Sequence, residues 1–223
     1  MAINFKNSNA ICFDVLGLFL FKLINPMLFT EVLPLNMKDA DVIYYPNFFT
    51  QEQSNAYFNT LLNTIEWQED TVKVSGKTYL QPRLTALYAN NKNPYSYSNI
   101  IMHPKAFTKE LNDIKNKIEK AVHIKFTTCL ANLYRNGNES NGWHADNEKE
   151  LGKNPAIASV TFGAERMFHF KHKYNPNLKS KLILNHGSLL LMKGSTQENW
   201  LHQLPKTKKL IGKRINLTFR IIA

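Results

Sequence analysis

Two cysteines, Cys12 and Cys129, are all that a chain of 223 residues carries, and their spacing matches no metal-binding pattern. So few exclude a disulfide-stapled scaffold and point to a reducing, intracellular compartment, cytoplasm or nucleus. Long apolar runs are missing too. V-L-G-L-F-L-F at residues 15–21 has seven residues where a membrane span needs about 20, so no membrane partner of that kind is expected. No small-x-small cleavage site follows it and the basic region before it is thin, which speaks against a secretory signal. Acidic residues are scarce, 17 against 28 Lys and Arg, giving a net charge of +11. That imbalance suggests a polyanionic partner, nucleic acid or a membrane surface, although many basic proteins bind neither. Repeats and low-complexity segments are absent. With 43% hydrophobic and 12% aromatic residues, the chain reads as one ordinary domain with a sizeable core, expected to be a monomer.

Residues 1–37 read as an extension, poorly ordered or packed on, in which Met27 is a candidate for the true start; 38–223 read as the domain. In that domain V-I-Y-Y at 42–45 is a short strand. Thr50 and Gln53 form a capping box opening a helix whose Phe58, Leu61, Leu62 and Ile65 follow i, i+3, i+4, i+7. Residues 67–79 predict a hairpin turning at Ser75 and Gly76, and a polar loop covers 89–99. Pro104 opens a second predicted helix, with Phe107, Leu111, Ile114, Ile118 and Val122 facing inward. Strands are then expected over 127–134, 156–162, 166–172, 181–184, 188–193 and 214–222. Helices followed by a long run of strands make the class α+β, with N-terminal helices packed on one side of a β-core. The number and length of the strands fit a double-stranded β-helix, a cupin-like jelly roll.

The chemistry concentrates between Cys129 and Arg220. His144 and Asp146 stand two apart in H-A-D, and His202 follows 58 residues later in W-L-H-Q. Two histidines and one carboxylate on one face of a metal leave its other positions open, the facial set of non-haem Fe(II) oxygenases. Alone, H-x-D is weak: seven histidines and six aspartates in 223 positions give roughly a one-in-five chance of one. Taken singly, either histidine reads first as a core or surface residue with a hydrogen-bond partner. The C-terminal segment shifts the balance. In R-I-N-L-T-F-R-I-I, a period of two places Arg214, Asn216, Thr218 and Arg220 on one face, with Ile215, Leu217, Phe219 and Ile221 on the other. On an open sheet the polar face would simply be solvated. Inside a closed barrel two guanidinium groups need anions, and a small dicarboxylate gripped by their forks meets that need. Asn132 and Tyr134 likewise put an amide and a phenol on one face of the strand that precedes H-A-D.

These residues, with I-A-S-V-T-F-G at 157–163, resemble the AlkB family of Fe(II)/2-oxoglutarate-dependent nucleic-acid dealkylases, in its DNA-repair branch. The likeness covers roughly residues 40–223. It implies iron(II) on His144, Asp146 and His202, with 2-oxoglutarate and O2 as co-substrates. Arg214 would then pair with the distal carboxylate of 2-oxoglutarate beside Tyr134, and Arg220 would approach the carboxylate nearer the metal. Asn132, Asn216 and Thr218 would complete that pocket. The implied reaction is oxidative demethylation of 1-methyladenine and 3-methylcytosine in alkylated DNA, with decarboxylation of 2-oxoglutarate to succinate.

For substrate, the resemblance makes Tyr97 an aromatic platform for an extruded base, with His144 on the base's other face. Arg83 and Tyr88 match a Pro-Arg-x-x-A-x-Tyr segment near the substrate lid. Asn147 and Glu148 follow the metal Asp where some relatives carry two acidic residues that contact the base. Asn147 keeps the acceptor and loses the charge. In the duplex-specialised relative an aromatic wedge sits in the hairpin that here turns at Ser75, so single strands are the expected preference. Lysines around the middle strands and before the last one are candidate phosphate contacts or a solvated basic face. Two alternatives stay open: a dioxygenase acting mainly on RNA, and a catalytically silent nucleic-acid-binding module.

Overall fold

The computed structural model describes residues 31–222 apart from 75–76, 93–94 and 98–99, and their side chains apart from 72–77 and 93–101. Cys12, the apolar run at 15–21, Met27 and the Ser75–Gly76 turn lie outside the described residues. Strands β1 (Leu33–Pro34) and β2 (Asp41–Tyr45) precede helix α1 (Gln51–Thr64). A hairpin of β3 (Thr71–Val74) and β4 (Lys77–Leu80) leads to β5 (Leu84–Ala89), and β6 (Tyr95–Tyr97) pairs with β7 (Ile100–Met102). Helix α2 (Lys109–Val122) is followed by β8 (Thr128–Tyr134), β9 (Asn141–His144), β10 (Ile157–Gly163), β11 (Arg166–His172), β12 (Lys179–Leu184) and β13 (Ser188–Lys193). The short helix α3 (Thr196–Asn199) feeds β14 (Trp200–Leu204), and β15 (Arg214–Arg220) is the last strand.

Two antiparallel sheets carry the fold, in the orders β1-β2-β13-β10-β15-β8-β5 and β12-β11-β14-β9. Alternation along each strand decides which side chain enters which core. On β15, Ile215, Leu217 and Phe219 are fully buried and join Ala131, Leu133, Val160 and Phe162 against Leu61 of α1 and Leu111, Ile114 and Ile118 of α2. Each buried leucine or isoleucine contributes roughly 1.5–3 kcal/mol. The larger sheet's other face closes on the smaller one: Tyr44, Tyr134, Ile157 and Leu190 meet Phe168, Phe170, Trp200 and Leu204. Helices on one face and a second sheet on the other make this the jelly roll that the strand pattern predicts.

The capping box is present: the Thr50 hydroxyl accepts from Gln53 N, and the Gln53 side chain accepts from Thr50 N. Helix α2 departs from expectation by starting at Lys109 rather than Pro104. Lys105 exchanges backbone hydrogen bonds with Leu87 and Ala89, which keeps that stretch extended, and the Thr108 hydroxyl then caps Leu111 N. Phe107 still packs half-buried against the helix-side core. The folded body also begins before residue 38, because Leu33 and Pro34 pair with Tyr44 and Ile43 and Met37 is buried. Glu119 pins the end of α2 to the start of β8, accepting from Phe126 N, Lys115 and Lys125. Burial alone would raise its carboxyl, but these donors outweigh it and hold the group below the usual range. Gly163 has φ +85, and a Cβ there would lie 2.4 Å from the Lys213 carbonyl oxygen, so the β10–β11 turn fits against the approach to β15 only with glycine. Among the described residues no helix is long and apolar enough to cross a membrane.

Candidate metal centre and cationic pocket

β9 and β14 are neighbours in the smaller sheet, and their register sets His202 opposite His144. The two imidazole rings meet edge to face with centroids 4.2 Å apart. Asp146 follows on an irregular stretch, and one ligand atom from each of His144, Asp146 and His202 lies within 4.8 Å of the others. His202 is buried and stacked on Phe168 at 5.4 Å. His144 Nδ1 lies 2.7 Å from the Gly142 carbonyl, which can only accept, so Nδ1 carries the hydrogen; the Nε2 lone pair accepts from the Asn141 amide at 3.2 Å and is the one a metal would take in its place.

Burial, reinforced by His144, pushes His202 down to about 3, and burial also lowers His144. Burial works against the Asp146 carboxylate, but Arg220 and then the two histidines outweigh it and hold the group at about 2. Near neutral pH the centre therefore offers two neutral imidazoles and one carboxylate, the protonation state a divalent metal requires. With three protein donors and no thiolate it is an open site rather than a closed structural one.

Beside the centre lies a pocket whose lining includes Asn132, Tyr134, Arg214, Asn216, Thr218 and Arg220 together with the three ligands. Arg220 donates to Asp146 Oδ1 at 2.9 Å. Arg214 donates to the Thr161 hydroxyl at 2.8 Å and lies over the Tyr134 ring at 5.3 Å. Its Nε is buried with no hydrogen-bond partner, and burial lowers the guanidinium to about 10. A buried cation with a donor unspent fits an anionic oxygen. The remaining polar wall is mutually satisfied: Asn216 donates to Ser159 Oγ, Thr218 donates to Asn216 Oδ1, and Arg83 Nε donates to Asn132 Oδ1 at 2.8 Å.

Among the expected substrate contacts, Arg83 is buried behind this wall, Asn147 is exposed, and Glu148 is half-buried with its carboxyl raised by burial. Tyr97 lies on β6, and its side chain falls outside the described residues. Tyr88 is not brought to the pocket. Its register partner is Cys129, which turns it to the helix-side face of the large sheet, where burial pushes the phenol up to about 12.

Three participants escape sequence reasoning. Ser159 and Thr161 could have been found by carrying the period of two along A-S-V-T-F. Gln197 could not, since T-Q-E-N looks like an ordinary polar turn. Its buried Oε1 accepts from Asp146 N at 2.9 Å, and its Nε2 donates to Met192 Sδ at 3.6 Å. Asp146 sits on no strand, so this bond and the Arg220 pair are what orient it. Gln197→Leu is expected to weaken Mn(II) binding about 10- to 100-fold and, by leaving the buried Asp146 N–H without its acceptor, to cost about 1–3 kcal/mol of stability, read as a melting temperature lower by several degrees. Calorimetric titration of metal-stripped protein checks this, and unchanged affinity would leave Arg220 as the sole orienting group.

A jelly roll holding an open His-Asp-His centre beside buried arginines defines a class, the non-haem metal oxygenase fold. Residues 41–220 match the family model described as 2OG-Fe(II) oxygenase superfamily. The chain is 40% identical over 186 residues to the bovine (Bos taurus) alpha-ketoglutarate-dependent dioxygenase alkB homolog 3, covering 79% of this chain and 64% of that relative. It is 34% identical over 188 residues to the human (Homo sapiens) DNA oxidative demethylase ALKBH2, covering 80% and 72%. The solved structure of OsALKBH1 shares the fold, with a TM-score of 0.61 at 15% identity over 86% of this chain and all of that one. The chain therefore belongs to the AlkB family of the 2OG-Fe(II) oxygenase superfamily. It spans just under two thirds of the length of the bovine relative. Membership implies iron(II), 2-oxoglutarate and O2, and the donor set and the unspent Arg214 donor fit the first two.

Proposed function

We propose that this chain is an oxidative demethylase of N-alkylated bases in nucleic acid, repairing 1-methyladenine and 3-methylcytosine in DNA and working as a monomer in the cytoplasm or nucleus. The observation that carries this reading is the open three-ligand centre set against a pocket floored by Arg214 and Arg220. Bound there, iron(II), 2-oxoglutarate and O2 would supply the oxidising chemistry that hydroxylates the N-alkyl carbon, which would leave as an aldehyde and restore the base, with succinate and CO2 as coproducts. The protein's own part is to bind, orient and keep water out. His144, Asp146 and His202 hold the metal. Arg214, lying over the Tyr134 ring, would hold the distal carboxylate of 2-oxoglutarate. Arg220 steadies Asp146 and would pair with the carboxylate nearer the metal, with Asn132, Asn216 and Thr218 completing the pocket. Leu130, Phe168, Met192 and Leu204 form the apolar part of the lining, and Asn141 and Ser159 add two further polar side chains.

A base inside a duplex cannot reach this centre, so the substrate base must leave its stack. Tyr97 would cover one face of it and His144 the other, with Asn147 and Glu148 at the rim beside Asp146. Arg83 acts through Asn132 rather than by touching the base. Ser75 is too small to fill the gap an extruded base leaves, which favours single strands. The test is a panel of methylated DNA and RNA oligonucleotides, single- and double-stranded, assayed for succinate and restored base. Demethylation of single-stranded DNA first is the expected result. Faster turnover of duplex overturns the strand preference, and faster turnover of RNA overturns DNA as the main substrate. Succinate without demethylation points to another substrate, and neither product to a silent binding module.

A further inference from the structure

We propose that the outward face of the four-stranded sheet is a second nucleic-acid contact, on which the single strand running on from the pocket stacks against Trp143 and lays its phosphates along a lysine row. The proposal rests on the reading that the substrate is a nucleic acid. Alternation on β9 turns His144 into the pocket and its neighbour Trp143 to the opposite face, where the indole is 39% exposed. What lies over it is a cation: Lys171 Nζ is 4.5 Å from the ring centroid. The register then sets Lys179 directly opposite Lys171, and Lys181 opposite His169. Like charges facing each other across a ladder are destabilising unless an anion lies between them. Among the described residues the outward positions of these four strands hold three lysines and no carboxylate. The face runs on into a cleft where Lys206 and Lys209 join Met167 and Ile183, with Glu165 the one carboxylate in its lining.

An exposed indole under one ammonium group, with further lysines running across the sheet to its far edge strand, is an arrangement that binds single strands without reading sequence. The base stacks on the ring, the cations track the backbone, and counterion release makes the binding salt-dependent. A neutral protein partner would leave the lysines facing one another; an anionic lipid surface would also accept Trp and Lys, and the vesicle comparison separates it from a nucleic-acid strand.

The experiment compares binding of a trinucleotide and of oligothymidylates up to about 16 nucleotides long, by fluorescence anisotropy, with full-length wild type, Trp143→Ala, Trp143→Phe and Lys171→Gln. Trp143→Ala should weaken the long oligonucleotide about tenfold or more and leave the trinucleotide unchanged, and Trp143→Phe should recover most of the loss. Lys171→Gln should lower the slope of log affinity against log salt by about 1. Equal loss at both lengths would mean Trp143 acts only through His144 and would overturn the proposal. So would long-oligonucleotide affinity indifferent to Trp143, or binding to phosphatidylserine vesicles that depends on Trp143 when oligonucleotide binding does not. If wild type binds no oligonucleotide of any length, the demethylase reading fails with it. If it binds all lengths alike and demethylates, only this surface fails.

Discussion

With His202 replaced by alanine, metal binding and every metal-dependent product should fall to background while the chain stays folded. His202 supplies one of three donors, and no other cluster of three His, Cys, Asp or Glu that could hold a metal occurs among the described residues. Lost packing on Phe168 and Phe170 should cost roughly 2 kcal/mol or more, which the 5–15 kcal/mol of a typical domain can absorb. The same change should alter the acid response of the metal-free protein. In the unfolded chain a histidine titrates near 6.5, while in the folded protein burial brings His202 to about 3. As pH falls through 6.5 the unfolded state takes up a proton that the folded state refuses. Stability then drops by at most about 1.4 kcal/mol per pH unit for this group, down to the folded value. His144, also lowered by burial, contributes with the same sign, and Asp146 adds its share only below the ordinary carboxylate range. Urea denaturation of stripped wild type and His202→Ala at pH 7, 6 and 5 should therefore give a shallower fall for the variant. Wild-type Mn(II) affinity in the variant, or an identical pH profile, would remove His202 from the centre.

What the sequence revealed and what it hid follow from the range of the interactions involved. The β15 pattern was legible because alternation is local: Arg214, Asn216, Thr218 and Arg220 share a face whatever surrounds them, and the apolar partners share the other. The capping box at Thr50 was legible for the same reason. β9 and β14 were not, although they carry both histidine ligands. N-G-W-H has no apolar alternation, since both faces of that edge strand are in use, one for the metal and one for Trp143. The start of α2 was misplaced because Pro104 is a good first helical residue in isolation, while the competing backbone pairing of Lys105 with Leu87 and Ala89 is a tertiary contact. Tyr88 shows the limit of carrying a motif by likeness. The residue type matched, but facing Cys129 decides which core it enters. Gln197 was invisible because its partner, Asp146, lies 51 residues away and the bond is to a backbone N–H that no side-chain pattern marks.

Replacing Arg214 with methionine should raise the stability of the ligand-free protein and at the same time nearly abolish its use of 2-oxoglutarate. The guanidinium is 2% exposed, holds one hydroxyl and one aromatic face, and leaves Nε unspent. Burial is what lowers it to about 10, and neighbouring Arg166, itself over the Tyr134 ring at 6.0 Å, adds a like charge to the same spot. A buried charge without its anion is a cost, and a well-packed apolar side chain of similar length removes it, commonly gaining 1–4 kcal/mol. The same cation becomes an asset once a carboxylate arrives, and truncating one partner of such a buried pair costs about 2–5 kcal/mol of binding. At the middle of that range 2-oxoglutarate affinity falls several hundredfold, while Mn(II) affinity, set by His144, Asp146, His202 and the Arg220 pair, should hold. The two readouts separate the roles of the arginines. Arg220→Met strips the ion pair from Asp146 and should weaken metal and 2-oxoglutarate together, whereas Arg214→Met should spare the metal. Thermal melting and calorimetric titration with Mn(II) and then 2-oxoglutarate measure all of this. An Arg214→Met protein that melts lower and still binds 2-oxoglutarate normally would show that the buried guanidinium is a structural strut, and the pocket would lose its claim to a dicarboxylate.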